Sequence, residues 1–187
     1  VEQKGLDLLP DVIEQIIAAG GRLAVLGQGQ PELEEMISQL AQRYPLHVAF
    51  RRGFNEADAR RMFAGSDFLL MPSRYEPCGL SQSYAQCFGS LPIGHRTGGL
   101  ADTIEDDQTG FLFDQMTPTS FAGAIERAMN TYLLPDLLDA MRRKAMQAPR
   151  YWQQTAKPYA ELYHHLAESS LASSLTLPGR SKRAWAL

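Results

Sequence analysis

The chain is 187 residues long, 44% hydrophobic and 21% charged, with a net charge of −3, enough to build one domain around a proper core. The slight negative charge argues against nucleic acid or an anionic membrane as the main partner, and no apolar run approaches the roughly 18 residues of a membrane span. The two cysteines, Cys78 and Cys87, form neither a CxxC pair nor a zinc spacing; they read as reduced thiols in a cytosol-like compartment and argue against a structural metal.

Val1-Glu2-Gln3-Lys4 has no initiator Met, signal peptide or transit character, as expected of a piece of a longer protein. Leu6, Leu9, Ile13, Ile16 and Ile17 recur at spacings of three and four, which predicts an amphipathic helix over 5–19, ended by Gly20-Gly21. Residues 22–26 read as a buried strand, and Pro31 opens a helix to about Tyr44. A second strand at 47–50 leaves through Arg51-Arg52-Gly53-Phe54, and Asn55 caps a helix over 56–64.

The apolar run 68–71 predicts a third strand, followed by a tight loop and a helix over 81–88. Residues 91–94 form a fourth strand, with Pro92 near its start where a missing amide is tolerated, and 110–113 a fifth. The remainder reads as three helices. One opens at Thr119 or Ser120, one at Pro135, and one runs from Trp152 to about Ala167 with Pro158 near its first turns. Residues 168–187 lack a clear period and read as a loosely held tail, leaving 1–167 as the domain. Strands alternating with helices predict βαβ units: an α/β, Rossmann-like parallel sheet of about five strands with helices on both faces.

Gly27-Gln28-Gly29-Gln30-Pro31-Glu32 invites a dinucleotide reading and fails it. The third glycine of that fingerprint is replaced by Glu32, and Pro31 fits the first position of a helix. The stretch Pro72-Ser73-Arg74-Tyr75-Glu76-Pro77-Cys78-Gly79-Leu80-Ser81 is a better candidate, because ligands of open α/β sheets bind between a strand's carboxyl end and the next helix. There Glu76 is fixed between prolines, where a carboxylate suits sugar hydroxyls. Ser81 reads as a helix cap, with the amides of Leu80 and Ser81 free for a phosphate. Lys4, Arg74 and Arg96 lie in or beside loops at the same edge; each alone reads as a surface charge, and together they could neutralise a diphosphate without metal. Phe54, at a loop on that edge, is either core or a platform for a base. His47, His164 and His165 read as structural or solvated. These residues point to a sugar-nucleotide site.

Lys4-Gly5-Leu6-Asp7, the 72–80 loop and Arg96-Thr97-Gly98-Gly99-Leu100-Ala101-Asp102-Thr103, in that order and spacing, resemble the C-terminal half of bacterial glycogen synthase and plant starch synthase, glycosyltransferases of family 5, from about Gln3 to Leu166. The resemblance implies the donor-binding half of a GT-B fold. It implies retaining, metal-free and cofactor-free transfer of glucose from ADP-glucose to the non-reducing 4-hydroxyl of an α-1,4-glucan, in the bacterial cytoplasm or a plant plastid. It implies catalytic roles for Lys4 on the phosphates and Glu76 on the donor glucose. Donor binding would fall to Phe54 against adenine and to Arg74, Cys78, Gly79, Leu80, Ser81, Arg96, Thr97 and Gly98. The family usually has tyrosine where Phe54 stands, and Tyr84 stands where some other retaining transferases carry a second glutamate. The family's donor-site arginine and acceptor domain fall before Val1, so the chain by itself is expected to bind ADP weakly and not to catalyse. The competing expectations are a UDP-glucose-dependent relative and a non-catalytic nucleotide-binding module.

Overall fold

In a computed structural model, residues 2–148 and 152–175 are described, and the chain divides after Ala148 into two compact units. In the first, β1 (Leu23–Gly27), β2 (Val48–Arg52), β3 (Phe68–Met71), β4 (Leu91–His95) and β5 (Phe111–Phe113) alternate with α1 (Leu9–Ala18), α2 (Pro31–Arg43), α3 (Glu56–Gly65), α4 (Ser81–Cys87), α5 (Gly98–Thr103), α6 (Pro118–Tyr132) and α7 (Pro135–Gln147). Single turns of 3₁₀ helix at Glu2–Lys4 and Leu6–Leu8 precede α1. In the second unit, α8 (Trp152–Leu175) carries Pro158 inside it and runs past the expected end near Ala167; the last part of the expected tail, 176–187, lies outside the described residues. Among the described residues no helix is long and apolar enough to cross a membrane.

Among the described residues all strand pairs are parallel. Strands of such sheets are covered on both faces and read as continuous apolar runs, and β4 and β5 are buried along almost their whole length. The core gathers Leu9, Val12, Ile13 and Ile16 of α1 with Leu91 and Ile93 of β4, Phe111 and Phe113 of β5, and Phe121 and Ile125 of α6. Each such side chain contributes about 1.5–3 kcal/mol on leaving water. On one side α6 packs with α1 and on β4 and β5, while α4 packs with α7 and on β3 and β4. Pro92 does sit in the central strand of its ladder. Leu91 donates its amide to Asp67 on the β3 side, so Pro92 faces the other way, where β5 pairs only from Ile93 onward, and no ladder bond is lost.

The five strands form two ladders rather than one: β1 with β2, and β4 between β3 and β5. Between β1 and β3 lies a cavity of about 1010 Å³, lined by Leu23, Val25 and Leu26 on one side and Leu69 and Leu70 on the other. Two local expectations also change. Thr117, not Thr119 or Ser120, caps α6 by accepting from the Ser120 amide. The stretch after Arg96, read as a loop, turns into the six-residue α5.

Candidate functional site

The loop after β3 meets the chain's first residues. Gln3 accepts a hydrogen bond from the Arg74 amide at 2.8 Å and donates from Nε2 to the Tyr75 carbonyl at 2.9 Å. Arg74 donates to the Glu2 carbonyl and, through both terminal nitrogens, to the two carboxylate oxygens of Asp7, each at 2.7 Å. This bidentate bond holds the Asp7 carboxyl below its ordinary range and raises Arg74 above its own. Gly5 allows the close approach: its φ is +64°, and a Cβ there would overlap the Pro72 carbonyl oxygen. Residues 2–7 and 72–76 therefore form one rigid seam at the carboxyl edge of β3.

At the centre of the seam the Lys4 ammonium binds the Glu76 carboxylate, which also receives the Ser73 hydroxyl at 3.4 Å. The Lys4 side chain keeps 49% of its exposure and that of Glu76 only 9%. A carboxylate so far out of water needs a charge partner, and here the partner's far side remains open to a ligand. Ser73 is itself held, through its carbonyl, by His95 Nδ1 at 2.9 Å.

The second loop closes over the first. Gly99 donates its amide to the Glu76 carbonyl at 2.8 Å, and a Cβ at Gly98 or Gly99 would overlap the carbonyl oxygens of Glu76 and Cys78 respectively. The two glycines are there because two backbones touch, and Gly98 also adopts a φ of +41°. Thr97 stands in extended conformation at the head of α5 without a side-chain cap bond.

The sequence-derived site residues thus fall into three groups. Lys4, Glu76, Cys78, Gly79, Thr97 and Gly98 are brought together by the two loops. Phe54, 77% exposed, and Ser81 line the same cavity beyond β1 and β3, with Leu80 exposed nearby in sequence. Ser81 does not cap its helix: Leu80 is the N-cap residue and Ser81 is the first helical one. Arg74 and Arg96 are each spent on carboxylates. Arg96 donates to Asp114 at 2.6 Å and Asp106 at 2.8 Å, bonds that raise its pKa, Asp114 first. The positive charge these two arginines would have brought to the edge is largely offset where it stands.

Three contributors escaped the sequence reading. Asp7 and His95 act on residues more than twenty positions away in the chain, which no local pattern reveals. Gln82 is fully buried, with Nε2 on the carbonyls of Cys78 and Gly79 at 2.9 and 2.8 Å. The available signal was its spacing of three and four from Ala85 and Gln86, which puts a polar side chain on the buried face of α4.

Residues 1–148 match the family model described as glycosyl transferases group 1. The chain is 58% identical over 174 residues to the glycogen synthase of Pseudomonas syringae, covering 93% of this chain and 36% of that protein. It is 55% identical over 170 residues to the glycogen synthase of Pseudomonas aeruginosa, covering 91% and 33%; the chain thus spans about a third of the length of these curated relatives. Its fold is similar to the catalytic domain of starch synthase IV from Arabidopsis thaliana bound to ADP and acarbose, with a TM-score of 0.79 and 32% identity over 88% of this chain and 36% of that one. It is also similar to sucrose-phosphate synthase from Thermosynechococcus elongatus, with a TM-score of 0.70 and 26% identity over 90% and 44%. These likenesses bear out the GT-B reading of the fold. Sequence and fold agree that the chain belongs to the glycosyl transferases group 1 family.

Proposed function

We propose that the chain is the donor-binding half of a glycogen or starch synthase, which transfers glucose from ADP-glucose to the non-reducing 4-hydroxyl of an α-1,4-glucan with retention of configuration. The observation that carries the reading is the Lys4–Glu76 pair, a cation and a carboxylate fixed side by side at the loop edge. The reaction breaks the bond between glucose C1 and the diphosphate oxygen and forms one from C1 to the acceptor oxygen. Negative charge develops on the departing diphosphate, and a preorganised cation beside it lowers the barrier. Lys4 supplies that cation, Glu76 accepts hydrogen bonds from the glucose hydroxyls, and Phe54 offers a face to the base. The similarity to bacterial glycogen synthases and to a starch synthase bound to ADP supports the donor and the acceptor class.

The test is transfer of labelled glucose to glycogen by the full-length protein, with ADP-glucose and UDP-glucose compared at equal concentration. ADP-glucose is expected to be the better donor, and Lys4→Ala to lower kcat by roughly 10²- to 10³-fold. Preference for UDP-glucose would replace the donor, and full activity of Lys4→Ala would remove the mechanism.

A further inference from the structure

The amides that face a diphosphate must be turned outward by something, and in this chain the group that turns them is a side chain. No described residue accepts from the amides of Gly79 or Leu80. Their peptide planes are nevertheless fixed: the carbonyls of Cys78 and Gly79 both accept from Gln82 Nε2, which lies 3.1 Å from Thr103 Oγ1 as well. The peptide bonds of this loop are trans, and in a trans peptide the N–H points opposite to the C=O. Drawing two successive carbonyls inward onto one carboxamide therefore aims the N–H groups of Gly79 and Leu80 outward, as a pair, away from α4. Successive outward amides form a concave anion receptor.

We infer that Gln82 is a positioning residue for the donor diphosphate, setting the two loop amides that receive it. The inference rests on the donor-site reading above and names how that site is built. Gln82 is buried completely, and its Oε1 is a buried acceptor without a partner. That orientation is forced, because exchanging oxygen and nitrogen would set the oxygen against two carbonyls. A Cβ at Gly79 would run into this same carboxamide, and Gly79 has a φ of +65°, so the glycine and the glutamine form one unit. Thr103 in turn donates to the Gly99 carbonyl. Through it the carboxamide spans both loops that enclose Glu76.

The experiment uses the full-length protein with Gln82→Met, which keeps the volume and removes both donors, and Gln82→Glu, which sets a carboxylate against the two carbonyls. Affinities for ADP and UDP are measured in parallel by calorimetry, with KM for the donor and for glycogen and the melting temperature. The preferred nucleotide is expected to bind roughly 10- to 100-fold more weakly in both variants, the worth of one hydrogen bond to an ionised group. Donor KM rises, KM for glycogen stays within twofold, and for Gln82→Glu the loss relative to wild type shrinks as the pH is lowered and the carboxyl gains a proton to donate. Folded variants that keep wild-type diphosphate affinity overturn the inference, as does loss of donor and glycogen affinity in equal measure with a lowered melting temperature. If UDP rather than ADP is preferred, the donor reading fails while the loss in the variants still decides for or against Gln82.

Discussion

Glu76 holds a carboxylate at 7% exposure, and Lys4 makes that possible while staying half open to solvent. Removing the lysine strands the carboxylate, so Lys4→Ala should destabilise the fold by about 1–2 kcal/mol, the usual cost of a broken buried pair reduced for Lys4's exposure. The double variant Lys4→Ala/Glu76→Gln should recover part of that loss in a thermal melt, because the uncompensated charge is gone; equal or greater destabilisation would show that the pair is not electrostatic. The folded Asp7 carboxyl titrates below its ordinary value of about 4 because Arg74 hydrogen-bonds its charged form. Its contribution is therefore complete above about pH 4 and is lost as the pH falls through the lowered folded value. Asp7→Asn should flatten the acid limb of stability against pH, and an unchanged acid limb would mean that other carboxylates govern it.

The two loops and the helices behind them work as a single element pair, joined by the Gly99 amide on the Glu76 carbonyl and by the Gln82–Thr103 contact. Gly99→Ala should push the loops apart and cost about 2 kcal/mol or more of stability, together with most of the nucleotide affinity; an ADP titration matching wild type would sink the claim that the backbones must touch. Much at this scale could be read from residue order alone. The three-and-four spacing of α1, the proline starts of α2 and α7, and Asn55, which caps α3 by accepting from the Asp58 amide, all lie in contiguous sequence. Helix α5 could not be read, because six residues beginning with two glycines show no period. Nor could the pairing of Arg74 with Asp7 or of Arg96 with Asp106 and Asp114, since a loop cation looks the same whether its carboxylate partner is near or absent. The sequence pattern brought Lys4, Arg74, Glu76 and Arg96 to one edge; the fold decided which of their charges remain available.

On the proposed reading the 187-residue chain supplies the donor side alone, and transfer needs an acceptor held against that edge with water excluded. Expressed alone, it should show no glucosyl transfer from ADP-glucose to glycogen, and measurable transfer by it would refute the half-site reading. In the full-length protein, chelation with EDTA should leave activity unchanged if, as proposed, Lys4 does the work of a metal cation; loss restored by a divalent ion would overturn that. The cavity between the ladders has a consequence of its own. The interior strand β4 has hydrogen-bonded neighbours on both sides and is almost wholly buried, whereas β1 is paired only with β2 and is nowhere fully buried. The fold should therefore open in two tiers. In amide hydrogen exchange on this chain, β1 and β2 should lose protection at least about a hundredfold faster than β4, by sub-global openings that leave the β3–β5 core intact.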